Sequence, residues 1–132
     1  MPHVVVEYSE NLARSVDISE LIKLVHETLV ATNAFPLEAI RTRGAARRDV
    51  RIADGDPRNA FVAIVGRIAP GRSQQLRHDL GKTLFEAVRR HLIDACAAIP
   101  LSITVELQEI DQTSNFRHSS IGAEPSTAPG QA

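Results

Sequence analysis

Apolar residues follow two different periods along this chain, and the pair of periods occurs twice in the same order. Residues 3–8 (His3 to Tyr8) are apolar and β-branched around Val4-Val5-Val6, which predicts a strand. Asp17 then stands three positions before Glu20, a capping pattern for a helix start. Ile18, Leu21, Ile22, Val25 and Leu29 recur at helical spacing, giving one apolar face to about residue 32. Pro36 in Asn33-Ala34-Phe35-Pro36 cannot continue that helix. A second strand begins at Ile40 and runs to about Arg43, with its extent into Gly44-Ala45-Ala46 left open by the pattern.

The sequence then repeats itself. Asn59 to Ile68 contains Phe61-Val62-Ala63-Ile64-Val65, another strand. Pro70-Gly71-Arg72-Ser73 predicts a turn into a helix capped by Ser73, with Leu76, Leu80, Leu84, Val88 and Leu92 on its buried side. Ala97-Ala98-Ile99-Pro100 ends it, and Ile103, Val105 and Leu107 alternate along a last strand. Both helix-to-strand junctions carry Pro-Leu, at Pro36-Leu37 and Pro100-Leu101. A β-α-β unit used twice accounts for this order, with parallel strands inside each half. The fold class is therefore α+β: a four-stranded mixed sheet with two helices on one face. The helix-free face and the sheet edges need cover, and self-association supplies it most simply.

The expected organisation is one domain over residues 1–118, with halves at about 2–45 and 59–110. Between them lie the basic Arg47-Arg48-Asp49-Val50-Arg51 and the turn signal Ala53-Asp54-Gly55-Asp56-Pro57, expected to form a solvated excursion. Residues 119–132 are Ser, Gly, Ala, Pro, Thr and Gln with one glutamate and one large apolar side chain (Ile121), the composition of a disordered tail.

Composition narrows the function. Aromatics are 4% of 132 residues and tryptophan is absent, so no platform for stacking bases is evident. A formal net charge of −1 gives no nucleic-acid or anionic-membrane signature. Cys96 is the one cysteine, which suits a reducing cytosol. With no apolar segment of signal-peptide or membrane-span length, a cytoplasmic protein is expected.

The candidate chemistry starts at Pro2. A small residue after Met1 favours removal of the methionine, which would leave proline as the amino terminus. Its secondary amine, at the start of a strand read as buried, has the charged form disfavoured by burial and by nearby arginines. Such a group suits general-base work near neutral pH. Arg41 and Arg43 are two apart on a strand and share a face. Arg72 lies just before a helix N-terminus, where free N–H groups already favour anions. Guanidinium grips carboxylates bidentately, so these residues suit a carboxylate substrate.

Other groups add little. His3 is expected to point away from its strand neighbours. His26, His78 and His91 lie on helices without metal-ligand spacing, so no metal and no cofactor is expected. Cys96 sits among apolar residues and is expected to be a packed, inert thiol. Phosphate-binding glycine loops and nucleophile elbows are absent from the sequence.

Pro2-His3-Val4-Val5-Val6-Glu7, Phe35-Pro36-Leu37, Ile40-Arg41-Thr42-Arg43, Ala53-Asp54-Gly55, Ala60-Phe61-Val62, Gly71-Arg72-Ser73 and Asn115-Phe116-Arg117 together resemble the 5-carboxymethyl-2-hydroxymuconate isomerase family of the tautomerase superfamily. The resemblance covers about residues 2–118. It implies a tautomerase-like homotrimer with pockets near subunit boundaries. It also implies isomerisation of a dienol di- or tricarboxylate in aromatic catabolism, of the homoprotocatechuate-degradation type. In its terms Pro2 is the base, Arg41 and Arg72 bind anions and polarise the developing enolate, and Arg43 and Phe116 are further substrate contacts. Gly44 to Ile52 departs from the family pattern, being basic where tryptophans are expected.

The repeat sharpens the expectation of one site per chain. Thr104 and Val105 stand where the second half would need a counterpart of Arg41, and the first half has no counterpart of Arg72. Two alternatives stay open: a phenylpyruvate-type keto-enol tautomerase, and a non-catalytic trimeric binding module in which Met1 remains. Dehalogenating relatives need a late aromatic hydroxyl, and Tyr8 on the first strand is the only tyrosine here.

Overall fold

The computed structural model describes residues 2–122. Its strands are β1 (His3–Ser9), β2 (Arg41–Arg47), β3 (Ala60–Ile68) and β4 (Leu101–Glu109). Its helices are α1 (Ile18–Ala31), α2 (Gln74–His91) and a short α3 (Ile93–Ala98). The sheet order is β2-β1-β3-β4. β1 runs parallel to β2, and β3 parallel to β4, while β1 and β3 meet antiparallel at the centre. The doubled β-α-β unit is thus a mixed sheet, as the repeat predicts.

Strand alternation assigns the two faces. Val4 and Val6 of β1 and Val62, Ile64 and Ile68 of β3 are buried, and they pack with Leu21, Val25 and Leu29 of α1 and Leu80, Leu84 and Val88 of α2. Both long helices therefore cover one face, and each starts on a predicted cap: Asp17 accepts from the N–H of Glu20, and Ser73 from that of Leu76. On the other face, register aligns Arg41, His3, Arg67 and Gln108 in one row across the sheet. Arg43, Val5, Val65 and Glu106 form the next row. Small and charged residues leave this face without a covering layer in the single chain.

Several elements differ from the sequence pattern. β2 continues through Gly44-Ala45-Ala46 to Arg47. A Cβ on Gly44 would stand 2.9 Å from the Ile22 side chain, so the glycine lets α1 lie close over this edge strand. The second helix turns at Leu92, which is buried, before α3 begins. Leu76 is 42% exposed, because it lies in the first turn of α2, ahead of the stretch of that helix buried in the core. Cys96 on α3 is exposed, not packed. Of the expected tail, Ser119 to Gly122 are described, and 123–132 lie outside the described residues.

Candidate active site

Parallel pairing brings the starts of β1 and β2 to one pole of the sheet, and antiparallel pairing brings the end of β3 there too. Pro2 sits at that pole, one residue before the register row that sets His3 between Arg41 and Arg67. It is fully buried, and its carbonyl accepts the N–H of Arg41 at 3.1 Å. In β-alternation the ring falls on the side of Val4 and the helices, while His3 falls on the helix-free side.

Arg41 is half-buried and anchored. Its Nη1 donates to the carbonyl of Ala39 at 2.8 Å and its Nη2 to Ser119 Oγ at 3.1 Å. Arg43, on the same face, is exposed and donates through Nη1 to His3 Nδ1 at 3.2 Å. That contact leaves the ring proton on Nε2. Burial, then the charges of Arg43, Arg67 and Arg41, hold the His3 pKa below its ordinary value, so the imidazole is a neutral member of a cationic row. Sequence reasoning set this histidine aside on its orientation along the strand; the signal it lacked was the register between two strands that each bring an arginine.

Arg72 belongs to the turn between β3 and α2. Gly71 there has φ +113, a left-handed conformation that favours glycine. The guanidinium donates to the carbonyls of Ala69 at 3.2 Å and Ala34 at 2.9 Å, and stands over the Phe35 ring at 4.5 Å from its centroid. Arg72 therefore stitches the α1–β2 connection to the β3–α2 loop, with three of its five N–H groups left over.

After β4 the chain runs back along this pole from β4 towards β2. A cavity of about 380 Å³ is lined by Ala69, Ile110, Gln112, Asn115 and Arg117. A second, of about 310 Å³, lies between this segment and the start of β2, with Glu38, Arg41, Arg117 and Ser119 in its wall. Phe116 lines neither. It is 90% exposed, while Asn115 and Arg117 on either side of it line the first cavity.

Within one chain the structure gathers Pro2, His3, Arg41, Arg43, Arg67, Arg72 and Arg117 at one pole and leaves Phe116 outside. Arg47 and Arg48 lie at the far end of β2, about 20 Å away at ~3.3 Å per residue. There Arg47 pairs with Glu7 at 2.7 Å, and the Arg51 guanidinium lies against Gly55. Among the described residues, none of Arg41, Arg43, Arg67, Arg72 and Arg117 has a carboxylate within 4.0 Å. Arg41 and Arg72, held by carbonyls and a hydroxyl and not by carboxylates, are suited to receive an anion. No group of His, Cys, Asp or Glu among the described residues is arranged to hold a metal, and no described helix is long and apolar enough to cross a membrane.

Comparison with known proteins identifies the family and the fold. The family model for 5-carboxymethyl-2-hydroxymuconate isomerase matches residues 2–124. The 5-carboxymethyl-2-hydroxymuconate Delta-isomerase of Escherichia coli is 34% identical over 123 residues, covering 93% of this chain and 98% of that protein. Among solved structures, a 5-carboxymethyl-2-hydroxymuconate isomerase from Deinococcus radiodurans R1 is similar with a TM-score of 0.82 and 28% identity, covering 89% of this chain and 88% of the other. A 5-carboxymethyl-2-hydroxymuconate delta-isomerase structure, 21% identical, shares the fold with a TM-score of 0.83, over 91% and 89% of the two chains.

Proposed function

The chain belongs to the 5-carboxymethyl-2-hydroxymuconate isomerase family and is an isomerase, and from that premise we propose its substrate and its base. The substrate is an unsaturated 2-hydroxy (dienol) di- or tricarboxylate of the 5-carboxymethyl-2-hydroxymuconate type, met in aromatic catabolism in the cytosol. With Met1 removed, the Pro2 amine is the general base. It takes a proton from the dienol system and returns it to a different carbon. Every atom of the substrate is retained, and the reaction needs neither oxidant nor reductant. Arg41 and Arg72 hold carboxylates and stabilise the negative charge that builds on the enolate oxygen, and Arg43 is a further contact. Preorganised cations aimed at developing charge are the largest catalytic contribution such a site offers.

The observation that carries this proposal is the position of Pro2. It is buried at the pole where Arg41 is bonded to it through the backbone and where un-neutralised guanidinium groups converge. The neutral His3 beside it adds no positive charge against which the amine would have to work. Phe116, exposed in the single chain, and the uncovered sheet face both support a homotrimer in which Phe116 reaches a neighbour's site.

The test is a chain with extra residues fused ahead of Pro2, its retention verified by intact mass. Acylation removes the basicity of the nitrogen while leaving the core residues unchanged. Isomerisation is expected to fall by about 10²–10⁴, the usual worth of a positioned general base. A fused chain as fast as the unfused one refutes the proline mechanism.

A further inference from the structure

The cavity of about 310 Å³ beside the start of β2 contains a guanidinium that neither the fold nor the proposed proton transfer uses. Arg117, from the segment after β4, lines it together with Arg41. Arg117 also lines the neighbouring cavity at Ala69 and Asn115, so it stands on the partition between the two. Neither arginine has a carboxylate within 4.0 Å among the described residues. Ser119 Oγ accepts from Arg41 Nη2 at 3.1 Å, which marks where an incoming oxygen would be received. Among the described residues, Glu38 is the one acidic side chain in the wall. A Cβ on Gly122 would come within 2.7 Å of the Glu38 Cβ, so the Glu38 stem lies against that glycine. Two guanidinium groups against one carboxylate make the described wall net positive.

We infer that Arg117 is a specificity-determining residue: with Arg41 it forms a subsite for a second carboxylate of the substrate, so that diacids are selected over monoacids. The inference rests on the proposed function, since it takes Arg41 to bind substrate. It extends that function by assigning selectivity to the segment after β4 and not to β2, which carries Arg41 and Arg43. Residues 111–122 are exposed, so Arg117 contributes charge without contributing to the core. Its removal should alter recognition while leaving folding intact.

The experiment titrates two unreactive acids, glutarate (a diacid) and butyrate (a monoacid of similar length), by calorimetry into the unsubstituted protein, Arg117→Ala and Arg117→Lys. The unsubstituted protein is expected to bind glutarate at least tenfold more tightly than butyrate. In Arg117→Ala that preference should shrink to near unity through weaker glutarate binding, with butyrate affinity unchanged. Arg117→Lys should restore part of it, since the charge returns without the bidentate fork. A glutarate-to-butyrate ratio unmoved by Arg117→Ala overturns the inference, as does an equal loss for both acids. The fused chain that tests Pro2 separates the two proposals. If it isomerises normally while Arg117→Ala still loses the preference, the proline mechanism fails and the diacid subsite stands.

Discussion

The guanidinium of Arg72 stands 4.5 Å above the ring of Phe35 while bridging the carbonyls of Ala34 and Ala69. Phe35 is buried, so the arginine rests on a rigid floor with its remaining N–H groups already positioned. Preorganisation of this kind lowers the entropic cost of binding an anion.

Arg72 should therefore fail differently from Arg41. Truncating one member of a desolvated charge pair typically costs about 2–5 kcal/mol, so Arg41→Ala and Arg72→Ala should each lower kcat/KM by tens to thousands of fold. Arg72→Ala should also lower the unfolding midpoint, because two loop carbonyls lose their donor. Arg72→Lys should keep the charge but not the bridge, and recover little activity. Arg47→Ala, at the opposite pole, should change kcat/KM little. Equal small effects at Arg41, Arg72 and Arg47, measured by steady-state kinetics, would show these groups to be surface charge only.

His3 gives a pH dependence of folding. Its pKa in the folded chain lies below the ordinary 6.5, through burial and then through Arg43, Arg67 and Arg41. As pH falls through the unfolded-state value, the unfolded chain takes up the proton first, so stability drops with falling pH from about 6.5 until the folded histidine protonates as well. Chemical denaturation across that window should show a shallower loss in His3→Gln. A slope unchanged by the substitution would remove His3 from the account.

The helix-free face predicts assembly. Register puts Val5 and Val65 side by side at the centre of this face, between Arg43 and Glu106. A face that mixes apolar and oppositely charged residues suits a partner of its own kind. Light scattering should give about three times the chain mass, and Val65→Asp should shift it towards one. A monomer at micromolar concentration for the unsubstituted protein would refute the trimer.

Much of this was legible in the sequence because it depends on local periodicity. The apolar stripe from Leu21 to Leu29, the caps at Asp17 and Ser73, and the proline stops at Pro36 and Pro100 are each set by neighbours within a few residues. The pole of arginines was legible in part, since Arg41 and Arg43 lie two apart on one strand. What sequence reasoning could not supply came from pairing between distant segments. His3 gains its meaning from Arg43 and Arg67 across two strand boundaries. Arg117 shares a cavity with Arg41 only because the chain after β4 doubles back along the pole. Leu76 and Cys96 misled for the opposite reason. Both fit an apolar pattern, but the first turn of α2 and all of α3 lie outside the core.

The proximity of two titrating groups makes the pH–rate profile the sharpest test of the base. If the Pro2 amine takes the proton, it must be neutral in the resting enzyme, so kcat/KM should rise with pH and then level off. His3, one residue away with a lowered pKa, would produce a limb of the same sign if its neutral form were the one required. His3→Gln separates them: a limb belonging to Pro2 persists in the variant, displaced slightly upward or downward by the altered neighbour, whereas a limb belonging to His3 disappears. Pro2→Ala supplies the complement. It keeps an amino terminus, now primary and freer to rotate, and should retain partial activity with the limb moved. Loss of the limb in His3→Gln together with full activity in Pro2→Ala would transfer the base from the proline to the imidazole.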